Sequence, residues 1–400
     1  MTTENWLMIF SGILIVSFIF NQIQQKVKIS SVILLILLGT ITQLILKHLD
    51  INVILPDQAL KVFGTLGLLI IVLEAVMDMK ITPQNAKVLK KAFLFATLLV
   101  FANVALISWG FVRTYGLELK NALIYAVPLS IVSSAIAIPS LQSVASELSE
   151  FLVLESIFSD IIGVLLFNFL TLTELGKFSS IGAFFLNMAA MIVISFVTTV
   201  LLGVLLGKGK SKNIHVAILA ILILMYSLAK MFHLSSLLLI LIFGLFLRNC
   251  SSIVRTKYGR WLNPYLNSQE ITNNLQNMHE FIDEFGFIIR SIFFILLGFS
   301  IYMDLLLQPQ VLLLGIMVMF TIYALRWIFL YWMIDHDNLT MPVTMAPRGL
   351  ITVLLFFQIP KEFQFPFFHG GVTFFIVLAT CFVMSFGLII SQRKKPEDIG

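Results

Sequence analysis

Charged residues are scarce in this chain of 400 residues: they make up 12% of it, against about 25% in an average soluble domain. Hydrophobic residues make up 59%, and the mean hydropathy is +1.00. Long polar segments are also absent, because the longest runs only from Cys250 to Glu284. These absences exclude a soluble globular protein and indicate a single polytopic membrane domain over residues 1–400.

Cysteine and histidine are too few for a disulfide framework or a metal centre. The two cysteines, Cys250 and Cys381, are far apart in the chain, and His215 and His369 fall at the ends of hydrophobic runs. We therefore expect no cofactor and no metal site other than one for a transported ion. The net charge of +5 fits loops that face anionic lipid, and we expect no nucleic-acid partner.

The hydrophobic runs predict an all-α protein. A helix needs about 20 mostly apolar residues to cross the hydrocarbon core of a bilayer. By this measure we predict thirteen membrane-spanning helices, at residues 5–21, 29–47, 59–79, 91–112, 120–142, 150–172, 180–206, 213–230, 234–249, 284–304, 311–333, 342–360 and 369–391. With the N-terminus outside and the C-terminus inside, the cytoplasmic segments hold sixteen Lys and Arg residues and the opposite side holds seven. Because basic residues favour the cytoplasm, we predict that orientation.

The connector between the ninth and tenth spans has apolar residues at helical spacing. They are Ile271, Leu275, Met278, Ile282 and Phe285. This pattern predicts an amphipathic helix at the cytoplasmic surface within residues 262–284. A solvated linker helix and a gating element are both consistent with it.

Six ionisable residues lie well inside the predicted spans, where each charge costs roughly 2.5–3.5 kcal/mol or more to insert. They are Glu74, Glu155, Asp160, Arg290, Arg326 and Arg348. Three acids and three bases are what a buried set contains if most of its members pair. We expect Glu155 to form a structural ion pair, whereas Glu74 could either reach the interface or serve transport.

Asp160 lies near the middle of the sixth span, and Ser156 precedes it by four residues on the same helical face. A lone carboxylate among hydroxyl groups can hold either a proton or a small cation, which is what exchange requires. The alternative is that Asp160 forms a structural ion pair with one of the three buried arginines.

Two predicted spans contain helix breakers. The fifth has Pro128 and Pro139 around a serine-rich patch, and the twelfth has Pro347 and Gly349 on either side of Arg348. Interrupted helices at corresponding places in two halves indicate a transporter's binding site. Spans 5 and 12 are seven apart, as two inverted six-helix repeats separated by one linker span would give. The alternative is a pair of ordinary proline kinks.

The segment Glu155-Ser-x-x-Ser-Asp160, with the apolar run that follows it, resembles the span-6 signature of the monovalent cation:proton antiporter superfamily. In the sodium/proton exchanger branch that signature is Glu-Ser-x-x-Asn-Asp. Further segments resemble the branch in the same order: Phe293 to Ser300 in span 10, Leu325-Arg326-Trp327 in span 11 and Pro347-Arg348-Gly349-Leu350 in span 12.

The resemblance implies a role for each matched charge. Asp160 would bind the proton and the cation alternately, Glu155 would pair with Arg326, and Arg348 would lie where the broken helices cross. It also implies a homodimer in which a core bundle moves like an elevator against a dimerisation domain.

The chain departs from the branch pattern at two places. The branch usually has Thr-Asp-Pro in the span-5 break, whereas this chain has Ser133-Ser134-Ala135 and lacks the acid. Ser159 stands where the branch has Asn, or where the electrogenic branch has Asp. With one titrating carboxylate, we expect electroneutral one-for-one exchange.

The sequence therefore predicts a secondary antiporter that exchanges Na+ for H+, with oxygens of Ser133, Ser134, Ser156 and Ser159 as further cation ligands. K+ or Li+ could replace Na+, and a cation channel or a non-transporting sensor on the same fold is the alternative. An intramembrane enzyme is disfavoured, because only one aspartate lies at mid-span and no histidine does. A compact membrane domain of this kind suits a bacterial inner membrane.

Overall fold

The computed structural model describes residues 3–27, 30–48, 65–67, 69–70, 72–74, 76–77, 86–141, 147–173, 178–208, 214–231, 236–255, 268–300, 306, 308–333, 339–365 and 370–393. The helices in these ranges are α1 (Thr3–Val27), α2 (Ser31–His48), α3 (Ala86–Tyr115), α4 (Leu119–Ser130), α5 (Ser134–Leu141), α6 (Glu147–Leu172), α7 (Phe178–Lys208), α8 (Ile214–Met231), α9 (Ser236–Arg255), α10 (Ser268–Phe299), α11 (Pro309–Met333), α12 (Thr340–Thr344), α13 (Leu350–Phe357) and α14 (Gly370–Arg393). A short 3-10 helix follows at Lys361–Phe363.

The predicted all-α class is confirmed, since the described residues contain no strand. Six described segments are long and apolar enough to cross a membrane: Ser31–His48, Ala86–Tyr115, Leu119–Leu141, Gly182–Val200, Pro309–Met333 and Gly371–Ser391. Helical residues occur within every one of the thirteen predicted spans. The total of thirteen spans and the inverted repeat stay predictions.

The chain divides into two compact units. The larger unit consists of Met1–Thr65, Val88–Gly163 and Ile288–Gly400, and the smaller one of Leu66–Lys87 and Val164–Phe287. In the larger unit α14 packs against α11 and α12, and α13 packs against α4. In the smaller unit α9 packs against α7 and α8.

A close contact between α2 and α10 depends on two glycines in the larger unit. A Cβ added to Gly39 would collide with the carbonyl oxygen of Ile295, and one added to Gly298 would collide with that of Ile36. The hydroxyl of Thr40 donates a hydrogen bond across this contact to the Gly298 carbonyl at 3.1 Å. The two backbones therefore approach as closely as glycine permits, as small residues allow in membrane helices.

Both predicted breaks are present, but in span 5 the prolines do not mark the position of the break. Span 5 is helical through Pro128 and Pro139 and is non-helical only at residues 131–133, between α4 and α5. Span 12 is non-helical at residues 345–349, between α12 and α13, and this stretch does include Pro347. Pro128 is thus tolerated inside a buried helix, and the serine patch after it forms the break.

The amphipathic connector is not a separate helix. Residues 262–267 lie outside the described part of the chain, and residues 268–284 form the first half of α10, which continues without interruption into the tenth predicted span. On its apolar stripe Met278 and Ile282 are buried, whereas Phe285 is 39% exposed.

Contacts at one end of the larger unit indicate which parts of the chain lie together there. At one end the ammonium of Lys120 lies 4.4 Å from the ring centre of Phe363, and the Phe365 amide donates to the Tyr125 hydroxyl at 2.8 Å. The N-terminal half of α4 and the segment after α13 therefore lie at the same end, as the predicted topology requires.

Candidate functional site

The two breaks contact each other at the centre of the larger unit. The amide of Ser133, in the first break, donates a hydrogen bond to the carbonyl of Pro347, in the second, at 2.9 Å. Ser133 is fully buried, and so is Arg348 next to Pro347. Two non-helical segments thus contact each other away from solvent.

Helix α6 holds the first break on either side of that contact. The amide of Val132 donates to Oγ of Ser159 at 2.9 Å, and the amide of Ser134 donates to Oδ2 of Asp160 at 3.0 Å. Three consecutive amides are therefore bound by three different acceptors, and two of these acceptors are adjacent side chains of α6. This arrangement places the carboxylate of Asp160 at the N-terminal end of α5.

Several oxygens beside Asp160 have no hydrogen-bond partner in the described part of the chain. They are Oδ1 of Asp160 itself and the hydroxyls of Ser133 and Ser134. All three residues are buried, with Asp160 only 4% exposed. Buried polar atoms normally have partners, so an unsatisfied group of this kind calls for an explanation. An oxygen-rich, unsatisfied pocket around one carboxylate suits a proton or a small cation.

The two other predicted ligands already make bonds. The hydroxyl of Ser156 donates to the Val153 carbonyl of its own helix at 2.8 Å, and Ser159 accepts the Val132 amide. Each hydroxyl oxygen keeps a lone pair, so both residues can still coordinate a cation. Ser159 also fixes the position of the break.

Glu155 and Arg326 form a buried, bidentate ion pair. The Nη1 and Nη2 atoms of Arg326 donate to the two carboxylate oxygens at 2.5 and 2.7 Å, and Nε donates to the carbonyl of Pro342 at 2.7 Å. The guanidinium also lies 5.8 Å from the ring centre of Phe95. Arg326 therefore joins α6 to the C-terminal part of α12.

Arg348 binds backbone carbonyls instead of a carboxylate. Its side chain donates to Leu129 at 3.0 Å, to Ala346 at 2.7 Å and to Ser130 at 3.3 Å. The first and last of these are carbonyls at the C-terminal end of α4, where a positive charge is favourable. Among the described residues, then, Arg326 and Arg348 both have partners other than Asp160.

Glu74 and Arg290 are half-buried, in the smaller and the larger unit respectively. The hydrogen bond that Asp160 accepts comes from the Ser134 amide and involves neither residue. Both stay lower-ranking predictions for a role in transport.

One residue that no sequence pattern had selected supports the second break. The hydroxyl of Thr380, in α14, accepts the Arg348 amide at 2.9 Å and donates to the carbonyls of Ile376 and Val377. A single threonine in a long apolar run forms no recognisable motif. Its role is shown only by its hydrogen bond with the second break.

Comparisons with known proteins agree with this geometry. The sequence model of the family described as "Sodium/hydrogen exchanger, transmembrane" matches residues 12–392. Two solved structures of the sodium proton antiporter MjNhaP1 from Methanocaldococcus jannaschii have a similar fold. One, at pH 8, has a TM-score of 0.72 and 18% identity over 96% of this chain and 100% of that chain. The other, from electron microscopy, has a TM-score of 0.67 and 17% identity over 100% of both. A comparison with curated proteins found no match.

Proposed function

We propose that this protein exchanges Na+ for H+ at Asp160. The chain belongs to the sodium/hydrogen exchanger family and is therefore a multi-pass membrane protein that carries out cation/proton antiport. The observation that carries the proposal is the position of this carboxylate. It is buried at the contact of two broken helices, with one oxygen and two neighbouring hydroxyls unsatisfied. Such a group must acquire a proton or a cation to be stable in the membrane.

The proposed cycle uses one site for both ions. Deprotonated Asp160 binds a partly dehydrated cation together with oxygens of Ser133, Ser134, Ser156 and Ser159 and of the exposed break. Protonation on the other side of the membrane then releases the cation. Because each half of the cycle carries a single positive charge on one carboxylate, a monovalent cation in one direction and a proton in the other, the exchange is electroneutral.

The proposal includes a homodimer with elevator-type alternating access in a bacterial inner membrane. The contacts in the larger unit support movement of the breaks as a body, since Arg326, Arg348 and Thr380 tie them to α4, α6 and α14. The protein is proposed to have no enzymatic activity. K+ in place of Na+ is the second candidate, because the neutral hydroxyls do not by themselves select the smaller ion.

Flux through purified protein in proteoliposomes tests the proposal. Under an imposed pH gradient, the wild type should take up cation in proportion to proton release, and Asp160→Asn should abolish this uptake. Glu150→Gln is the matched control, because Glu150 is an exposed carboxylate of the same helix. Below the pKa of the site, the cation concentration for half-maximal flux should rise about tenfold for each unit by which the pH is lowered, since proton and cation compete for the same carboxylate.

Wild-type flux in Asp160→Asn would refute this mechanism. A voltage clamp separates the remaining alternatives: a channel would dissipate the membrane potential, whereas electroneutral exchange would continue unchanged. Parallel measurements with Na+, K+ and Li+ identify the cation.

A further inference from the structure

Four helix ends meet at the two breaks, and three of them face a side chain of opposite charge. The carbonyl ends of α4 and α12 accept hydrogen bonds from Arg348 and Arg326 respectively, and the amide end of α5 donates to Asp160. Each helix end carries roughly half an elementary charge, which is poorly screened away from water. The three pairings therefore compensate three of the four partial charges.

The fourth end, the N-terminus of α13, has no such partner in the described residues. Its N-cap is Gly349, no side chain caps it, and the first of its amides with a backbone acceptor is that of Val353, which donates to the Gly349 carbonyl at 3.2 Å. Leu350, Ile351 and Thr352 are all fully buried. Buried amides at a helix start need an acceptor.

Two unpartnered hydroxyls lie at this same end. Oγ of Ser133 is 2.5 Å from the position that a Cβ on Gly349 would occupy. Oγ1 of Thr352 belongs to the third residue of α13. Both side chains are fully buried, and neither has a hydrogen-bond partner in the part of the chain that the structure describes. The end of α13 thus offers hydrogen-bond donors without an acceptor.

The net charge around this helix end is positive whenever Asp160 is loaded. Arg326 is neutralised by Glu155, whereas Arg348 binds only carbonyls within the described ranges. Asp160 loses its charge whenever it carries a proton or is neutralised by a cation. In either loaded state, Arg348 and the amide end of α13 leave an excess of positive charge in a buried region.

We propose that a small monovalent anion, of which chloride is the obvious example, binds at the N-terminus of α13 between the hydroxyls of Ser133 and Thr352. Helix N-termini with free amides are suited to anions. The anion supplies a negative charge close to the place where this chain has Ser133-Ser134 in its first break and no acid. The proposal does not depend on which cation is transported.

Direct binding tests the proposal without any transport assay. Purified full-length protein should bind radiolabelled chloride saturably, and bromide should compete whereas bulky gluconate should not. At equal ionic strength and pH, the melting temperature should be higher in chloride than in gluconate, because a ligand that binds only the folded state stabilises it.

Two variants localise the site. Ser133→Ala and Thr352→Val should each weaken chloride binding about tenfold or more, since each removes a hydrogen bond to a charged group. Ser140→Ala is the matched control: its buried hydroxyl already donates to Ile136 at 2.8 Å, and its loss should leave binding unchanged. Ser133→Asp should place a carboxylate at the same end and make the melting temperature independent of chloride.

Absence of saturable chloride binding, or equal melting in chloride and gluconate, would overturn the proposal. Binding that both Ser133→Ala and Thr352→Val leave intact would also overturn it, because the anion would then occupy another place. Thr352→Val separates these outcomes from those of the flux assay, because Thr352 is not among the proposed cation ligands whereas Ser133 is. Failure of Asp160→Asn to abolish flux would refute the exchange mechanism and leave the chloride result standing.

Discussion

Arg326 is a fully buried guanidinium whose hydrogen bonds go to one carboxylate and one carbonyl. A buried charge of this kind is stable only while its partners are present, because the desolvation cost is several kcal/mol. The role of Glu155 is therefore to supply the hydrogen-bond acceptors and the negative charge that Arg326 needs. Asp160, five positions further along the same helix, is left as the carboxylate that is free to change its charge.

Glu155→Gln should lower the free energy of unfolding by about 3–5 kcal/mol, because it leaves Arg326 charged, buried and unpaired. The double variant Glu155→Leu with Arg326→Met should recover much of this loss, since both charges are removed together. The carbonyl of Pro342 would still lack its donor, so recovery should be incomplete. Melting curves of the two purified variants and of the wild type measure these differences in stability.

Asp283→Asn provides the comparison for that experiment, because it breaks an exposed pair with His279 in which the aspartate is 46% exposed. Pairs at the surface contribute about 1 kcal/mol or less. A Glu155→Gln variant no less stable than Asp283→Asn would contradict the account of the buried pair.

At the residue scale, the sequence supplied the charged groups but not their partners. Six intramembrane charges could be found by counting, and the resemblance implied which acid faces which arginine. No pattern could show that Arg348 binds carbonyls, because backbone acceptors are the same in every sequence. Only the path of the chain brings Leu129 and Ser130 to its guanidinium.

At the scale of elements, proline proved a poor guide to where a helix ends. Pro128 lies inside α4, and the break begins three residues later, at Ile131. A missing amide can be tolerated where neighbouring helices satisfy the freed groups. What determines the break is the set of external acceptors for its amides, Ser159, Pro347 and Asp160, and these come from distant parts of the chain.

The glycine contact between α2 and α10 gives a prediction at this scale. Gly298→Ala should destabilise the protein by about 1–3 kcal/mol, because the new methyl group would meet the Ile36 carbonyl and force the helices apart. Gly39→Ala should act in the same way. Thermal melting of each variant in detergent measures the effect.

Gly12→Ala is the matched control, since nothing lies within 4 Å of a Cβ at that position of α1. Alanine there should be neutral or stabilising by up to about 1 kcal/mol, through its higher helix propensity. If Gly298→Ala melted at the same temperature as Gly12→Ala, the close contact would not exist as described.

At the scale of the whole molecule, the all-helical membrane class followed from composition alone, whereas orientation rests on the distribution of basic residues. The structure adds contacts between segments that the predicted orientation places on the same side of the membrane. The Ser30 amide, before α2, donates to the Ser385 hydroxyl near the end of α14, and a Cβ on Gly387 would meet the Thr344 side chain. All four residues lie near the predicted cytoplasmic ends of their spans.

Side-specific labelling tests that topology. In a chain with Cys250→Ser, Lys361→Cys should react with a membrane-impermeant maleimide from outside the cell, and Thr340→Cys only after the cytoplasmic side is opened. Both positions are exposed, and the remaining Cys381 is buried. Labelling of both positions from the same side would show that the broken span between them does not cross the membrane.

The wide sequence separation of the Glu155–Arg326 pair has a consequence for biosynthesis. The two residues are 171 positions apart, and Arg348 lies 219 positions after the Leu129 carbonyl that it binds. At roughly 5–20 residues per second, Glu155 is made about ten to thirty seconds before Arg326 exists. During that interval Glu155 has no arginine with which to pair, so its carboxylate must either bind a proton or be kept out of the lipid by the insertion machinery. A nascent chain halted before Arg326 should therefore be an unstable species and a substrate for membrane proteases.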